Sequence, residues 1–407
     1  MIKVGLNIGN AKFSCAVIDY KNEKQFNILS IDSIPSTALK KNFVTNVNQM
    51  SSELEKLISD SEKNSQTKIK SINLNVHTNG SFSKYYESEI RIENNTISDL
   101  DIKKAVNNSD FFSGADNNFF EIHNNLINYN LDGNTLYEKP IGNYTNKLKL
   151  CFYKISVPAK NINNFKNIIN KLNISIDSYV PVPLASSLSV LSDDEKNIGS
   201  ICIDLGHSNT SVAIFENNKF IYGDSFLVGS NNITNDIARG VSTTLESAER
   251  LKTLYSSLIS APSDEFEIIE IPMISGEKNK FSQINRLKIN SIVKPRVEET
   301  LEMIWQKLKQ NNLHKRQIKN VVLTGGGSLL DGIKQYAEFI FSANVRIGYP
   351  SVGNLIDSDF NKPIYSDTIG CSLYDQSQFL SEFTEIQGKK RKKYGFKGFF
   401  NWLDQYI

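Results

Sequence analysis

A chain of 407 residues is too long for one ordinary hydrophobic core, so two or more packed domains are expected. Hydrophobic residues at 40%, with 22 glycines besides, supply those cores and exclude global disorder. The formal charge of +2 is uneven, because residues 389–407 hold six bases and one acid while the rest carries 40 bases against 43 acids. A nucleic-acid binder spreads basic charge over a folded face, so that class is disfavoured.

The four cysteines (Cys15, Cys151, Cys202, Cys371) are far apart and read as reduced, mostly buried thiols. No zinc spacing exists, and the histidines form no local cluster. Met1 leads straight into a strand-like run, and no stretch approaches the ~18 continuous apolar residues of a spanning helix. A cytosolic chain is the expectation.

In chain order, strand patterns over 3–19 and 26–34 precede a helix over 48–63 and a strand over 69–77 with Ile72, Leu74 and Val76 on one face. The texture changes between about 84 and 158. There Thr96 and Ser98 are helix-start residues ahead of Leu100, Ile102, Ala105 and Val106, and two alternating segments, 119–131 and 147–157, are separated by an Asp132-Gly133 turn. This stretch reads as an inserted small α+β unit. A helix over 161–172 follows, with Ile162, Phe165, Ile168, Ile169 and Leu172 on one side. Between about 230 and 294 a second insertion is expected, with a helix through Ile233, Ile237 and Val241 and another over 245–255. Glu249 and Lys252 share a face of the latter; on the residues alone that is a surface ion pair, worth little. A long amphipathic helix is predicted to start at Pro295 and run to 311.

Chemistry concentrates in three glycine turns. In the run from Ile201 to Phe215 a strand ends at Asp204, turns through Gly206-His207-Ser208-Asn209 and returns. Backbone N–H groups in such a turn can cradle a phosphate. Leu6 to Val17 matches Ile203 to Ile214 without a gap: Asn7 meets Asp204, Gly9 meets Gly206, Ser14 meets Ser211 and Ala16 meets Ala213. A phosphate-type hairpin in each half suggests two related lobes around one nucleotide. Val321-Val322-Leu323 then runs into Thr324-Gly325-Gly326-Gly327, with Ser328 placed to cap the helix that follows.

These turns resemble the nucleotide-binding elements of the actin superfamily, and within it the chain resembles the FtsA family of bacterial division proteins. The likeness also covers Pro183 to Ser186, Asp194 to Lys196, Thr234 to Ala238, Ala248 to Lys252 and Pro295 to Val297. It implies an α/β, actin-like ATPase fold of two lobes, each a mixed sheet flanked by helices. The first large subdomain would be 1–83 with 159–196, and the second 197–229 with 295–375. Small subdomains would be inserted at 84–158 and 230–294. The resemblance implies ATP with Mg²⁺ between the lobes. Phosphates would meet Gly9, Asn10, Lys12, Gly206, Ser208 and Asn209 beside Asn7. Base and ribose would meet Glu249, Lys252, Gly325 and Gly326, and Asp204 would orient metal-bound water.

Departures from the family pattern point to slow or absent hydrolysis. Asn7 stands where the family usually has Asp, and His207 to Ser211 lacks a second carboxylate. Charge neutralisation and a positioned nucleophile are what phosphoryl transfer requires. The implied role is an adaptor that polymerises with itself, binds the C-terminal peptide of FtsZ with Arg296 as candidate contact, and works with other division proteins at the cytoplasmic face of the inner membrane. Alternatives are an actin-fold kinase, which would need a catalytic carboxylate at a sugar-sized cleft, and a pilus-type scaffold.

Residues 376–394 read as a flexible basic linker, and 395–407 as an amphipathic helix. Phe396, Phe399, Phe400, Trp402, Leu403, Tyr406 and Ile407 fall in one arc, with Lys397, Asn401, Asp404 and Gln405 opposite. At ~1.5 Å per residue the helix is roughly 18 Å long, short of a ~30 Å hydrocarbon core. It is therefore expected to lie in an anionic lipid surface and to fold there, since Gly395 and Gly398 weaken it in solution. Truncation before residue 396 is expected to abolish co-sedimentation with anionic liposomes; binding that survives the truncation refutes the tail assignment.

Overall fold

The computed structural model describes residues 1–22, 25–40, 42–108, 118–259, 261–273, 281–316, 318–351 and 360–375. They form two compact units: 1–69, 75–79 and 181–373 make the first, and 70–74, 80–180 and 374–375 belong to the second.

The chain opens with an antiparallel meander, β1 (Ile2–Ile8), β2 (Lys12–Asn22) and β3 (Gln25–Pro35). A two-residue pair, β4 (Leu39–Lys40) and β5 (Phe43–Val44), leads to α1 (Val47–Ser65). Asn46 caps α1 by accepting from the Gln49 N–H. The buried stripe Met50, Leu54, Leu57 and Ile58 packs on β2 and β3, as the 3.6-residue period requires. β6 (Ser71–Val76) follows, and its last residues border β1.

The second unit holds β7 (Phe82–Arg91), α2 (Asp99–Asn107), β8 (Phe119–Leu131), β9 (Asn134–Leu136), β10 (Lys147–Pro158), α3 (Ala159–Lys171) and most of β11 (Ser175–Pro181). Its sheet runs β7-β10-β8-β9. Ser98 and Asp101 form a reciprocal capping box, and Ile102, Ala105 and Val106 of α2 join Ile90, Leu126, Leu148 and Phe152 in one core.

The first unit resumes with α4 (Val182–Val190) and α5 (Asp193–Ile198), then β12 (Ser200–Leu205), β13 (Thr210–Glu216) and β14 (Lys219–Phe226). After α6 (Ser230–Gly240) and α7 (Leu245–Tyr255) comes a small hairpin, β15 (Ile268–Pro272) with β16 (Phe281–Asn285). Then follow α8 (Arg286–Gln310), β17 (Asn320–Thr324), α9 (Ile333–Phe341), β18 (Asn344–Ile347) and α10 (Ser366–Leu373). The sheet β14-β13-β12-β17-β18 is mixed: β12, β17 and β18 run parallel, and β13 is antiparallel to both its neighbours. No helix among the described residues is long and apolar enough to cross a membrane.

Helix α8 begins nine residues before the predicted start, with Pro295 inside it. Proline lacks the N–H that would reach the Ser291 carbonyl, a cost of about 3 kcal/mol in a helix interior. The helix continues because Asn285 caps its start and the stripe Ile289, Val293, Val297, Leu301, Ile304 and Leu308 is buried on both sides of the proline. Ser328 does not cap the next helix either. It sits in a short 3₁₀ turn and donates to the Gly325 carbonyl at 2.7 Å, while α9 starts only at Ile333.

Two helices that lack a polar face join the sheets of the first unit. α10 packs on β1 and β2, α4 packs on β12 and β13, and the helices pack on each other. A Cβ at Gly370 would lie 1.7 Å from the Ala185 carbonyl oxygen, and one at Gly5 would lie 2.5 Å from the Ser372 nitrogen. Replacing Gly370 by Ala is therefore expected to destabilise the protein by about 2 kcal/mol or more through overpacking. Chemical denaturation checks this; an unshifted midpoint contradicts the packing.

Candidate functional site

The two hairpin turns anticipated by the repeat have the same backbone geometry. The Gly9 N–H donates to the Lys12 carbonyl at 3.1 Å, and the Gly206 N–H donates to the Asn209 carbonyl at 3.0 Å. A Cβ on either glycine would press within 3 Å of the same carbonyl oxygen. The third turn stands at the end of β17, where Gly325 has φ +79° and a Cβ would fall 2.2 Å from Asp204 Oδ1. Only glycine brings backbone this close to the carboxyl group.

The three turns open onto one cavity of about 660 Å³ in the first unit, within the roughly 300–1,000 Å³ of small-molecule sites. Asn7, Gly9, Asn10, Lys12, Asp204, Gly206, Ser208, Asn209, Glu249, Lys252, Gly325 and Gly326 all line it. Arg296 does not. It sits on α8 with its Nε donating to Asp236 at 2.6 Å and another nitrogen to Glu299. Phe396, Phe399, Phe400, Trp402, Leu403, Tyr406 and Ile407 lie outside the described residues.

At one end, Glu249 and Lys252 are more than a surface pair. Glu249 Oε2 accepts from Lys252 at 2.7 Å and from Thr234 of α6 at 2.6 Å, and the Lys252 side chain is only 11% exposed. Burial alone would raise the Glu249 pKa, but these hydrogen bonds outweigh it and hold the group ionised. Lys252 also donates to Thr234 at 3.0 Å, so the helices present a fixed anion–cation–hydroxyl set.

At the other end, Asp204 is buried and accepts from Ser186 Oγ at 2.5 Å. Burial first, and the charge of Asp367 second, push its pKa up to about 7. Asp367 is raised too, by burial, with Lys12 pulling the other way. The Lys12 ammonium stands 4.0 Å from the Tyr365 ring centroid, and burial lowers its pKa against the attraction of Asp367. Asn7 Nδ2 donates to Asp367 Oδ2 at 2.7 Å, while Asn7 Oδ1 is buried without a partner.

The turns are also tied to each other. Asn42 N–H donates to Asn10 Oδ1 at 2.9 Å, and Asn42 Nδ2 donates to Asn209 Oδ1 at 3.1 Å. His77 sits beside Asn209 at 3.5 Å with its Nε2 unpartnered, and burial pushes its pKa down to about 4. Sequence reading missed Asp367, His77, Asn42 and Thr234 as site residues.

A family model described as Cell division protein FtsA matches residues 201–370. FtsA of Agrobacterium fabrum is 28% identical over 382 residues, covering 91% of this chain and 86% of its own, and FtsA of Pseudomonas aeruginosa is 26% identical, covering 91% and 88%. FtsA of Escherichia coli is 22% identical over 98% of this chain and 97% of its own. Among solved structures, a PilM-PilN type IV pilus biogenesis complex aligns at TM-score 0.63 and 14% identity, covering 91% of this chain and 97% of that one. MreB5 of Spiroplasma citri bound to ADP aligns at TM-score 0.56 and 12% identity, over 95% and 99%. The fold is that of the actin-like ATPases, and the likeness to FtsA extends along about nine-tenths of the chain.

The buried imidazole of His77 sets a pH dependence. Its pKa is about 4 in the folded chain against an ordinary 6.5, so the unfolded chain binds the extra proton as pH falls between those values. His77 therefore takes stability away as pH falls from 6.5 to 4, while the raised carboxyls of Asp204 and Asp367 act in the opposite sense, so His77→Gln is expected to lose less stability, or gain more, than the wild type over that interval. Thermal melts of both proteins across the interval check it; parallel curves contradict it.

Proposed function

We propose that this chain, a member of the FtsA family of cell division proteins, binds ATP with Mg²⁺ in the cleft, polymerises, and tethers FtsZ filaments to the cytoplasmic membrane at the septum. The observation that carries the reading is the convergence of two equivalent glycine turns and Gly325 on one cavity. Backbone N–H groups at Gly9 and Gly206, with Lys12, Asn10, Ser208 and Asn209, suit the phosphates. Glu249 and Lys252, which line the same cavity as Gly325 and Gly326, suit ribose and base. Among the described residues no group of three or more His, Cys, Asp or Glu could hold a metal ion. A magnesium ion would therefore be held mainly by phosphate oxygens and water, with Asp204 accepting from that water, and would supply charge neutralisation.

Hydrolysis is slow in this reading. Asn7 is a neutral amide, and Ser211 is engaged with Ser225 at 2.8 Å rather than offering a carboxylate. His77 is too weak a base near pH 7 to activate water strongly. The membrane role rests on the basic linker and the aromatic arc of the tail, and the FtsZ peptide would compete with Asp236 and Glu299 for Arg296. The protein would thus work as a peripheral adaptor among division proteins, its nucleotide governing assembly more than turnover.

Removing the Lys252 ammonium is expected to weaken binding of a fluorescent ATP analogue about tenfold, the loss of one charge-assisted contact. Fluorescence titration measures it, alongside titration with the C-terminal peptide of FtsZ. A wild-type protein that binds neither ligand refutes the proposal, and rapid steady hydrolysis abolished by Asp204→Ala would make the protein an enzyme instead.

A further inference from the structure

We propose that Asp367 is a positioning carboxylate for the divalent cation of this cleft, acting from α10 together with Asp204 and Asn7. The inference rests on the nucleotide reading above. Both aspartates line the cavity, on separate elements: Asp204 at the end of β12 and Asp367 in the first turn of α10.

Asn7 connects Asp367 to the ligand space. It is 6% exposed, lines the same cavity, and uses its amide nitrogen on Asp367. Its Oδ1 has no hydrogen-bond partner among the described residues. A buried carbonyl oxygen without a donor carries a penalty, and a cation-bound water would supply one. The pairing has a direction. An amide at position 7 can donate to a carboxylate at 367, whereas two carboxylates at 2.7 Å would repel. Positions 7 and 367 therefore hold one negative charge between them, and here α10 carries it.

The simpler role for Asp367 is that of counterion to Lys12, whose charge it also faces. Charge balance argues for more. Lys12 offsets one of the two aspartates, and the other, once ionised, leaves the phosphate end negative. A polyphosphate would be repelled there unless a divalent cation came with it. Asp367 Oδ2 is held by Asn7 and Oδ1 by Thr368 at 2.9 Å, so the carboxylate is oriented by both neighbours. An outer-sphere ligand has this arrangement.

The test uses the full-length chain and mant-ATP, titrated in Mg²⁺ and in EDTA. For the wild type, Mg²⁺ is expected to strengthen binding. In Asp367→Asn that Mg²⁺ enhancement should fall about tenfold, while affinity in EDTA holds or improves because repulsion is relieved. The exchange Asn7→Asp with Asp367→Asn should restore the enhancement, which a variant that merely misfolds would not do. Equal weakening with and without Mg²⁺ would make Asp367 a Lys12 counterion only and overturn the inference. Unchanged Mg²⁺ dependence, or an exchange variant that fails to recover while retaining EDTA-state binding, would overturn it as well. A wild type that binds no mant-ATP in either buffer would instead remove the nucleotide reading beneath it.

Discussion

The cleft depends on how closely α10 can lie against α4 and β1. Gly370 meets the Ala185 carbonyl and Gly5 meets the backbone of α10, at separations that no side chain would permit. That approach sets the inner wall of the site. It brings Asp367 to Asn7, Ser14 to Thr368 at 2.7 Å, and Ser189 to the Ser366 carbonyl at 2.7 Å, while Ser186 on the neighbouring helix reaches Asp204. Small residues here serve two ends: they let backbones approach, and their hydroxyls satisfy polar groups that the approach buries.

Electrostatics in the cleft follow from the same packing. Two carboxylates and one ammonium are partly removed from water, so each is biased towards its neutral form, the aspartates upward and Lys12 downward. Glu249 behaves oppositely although it too is partly buried, because Lys252 and Thr234 give it charge-assisted hydrogen bonds. The two ends of the cavity are therefore prepared differently. One holds a settled ion pair, and the other holds two carboxyls and an ammonium, each biased toward its neutral form.

The amide bridge through Asn42 adds a second constraint. Asn10 and Asn209 come from turns separated by nearly two hundred residues, yet both hydrogen-bond to the same side chain. Closing a loop of that length costs entropy that a few amide contacts do not repay. The packed helices bear that burden, and Asn42 then keeps the turns in register.

Periodicity and turn chemistry pointed to the glycine turns, to helices over 48–63 and 245–255 and to the capping start of α2, whereas the place of Glu249 and Lys252 at the cavity came only from the family resemblance. Each signal is local: an alternation of two, a period of 3.6, or a glycine at a polar turn. The inner pair of helices was not legible as such, because α4 and α10 are buried all round and so carry no amphipathic stripe. Helix α8 was read too short because a proline is locally a helix-start signal, whereas the burial that carries the helix through it is tertiary. Asp367, Asn42 and His77 lie in sequence far from the turns they serve. The sequence by itself thus determined which segments would turn, pair and coil, and the glycines of the three polar turns, whereas the need for Gly5 and Gly370 came only from packing. Only tertiary structure decided which distant carboxylate faces which amide, since that follows from the distance between packed backbones, and no pattern along a single chain encodes it.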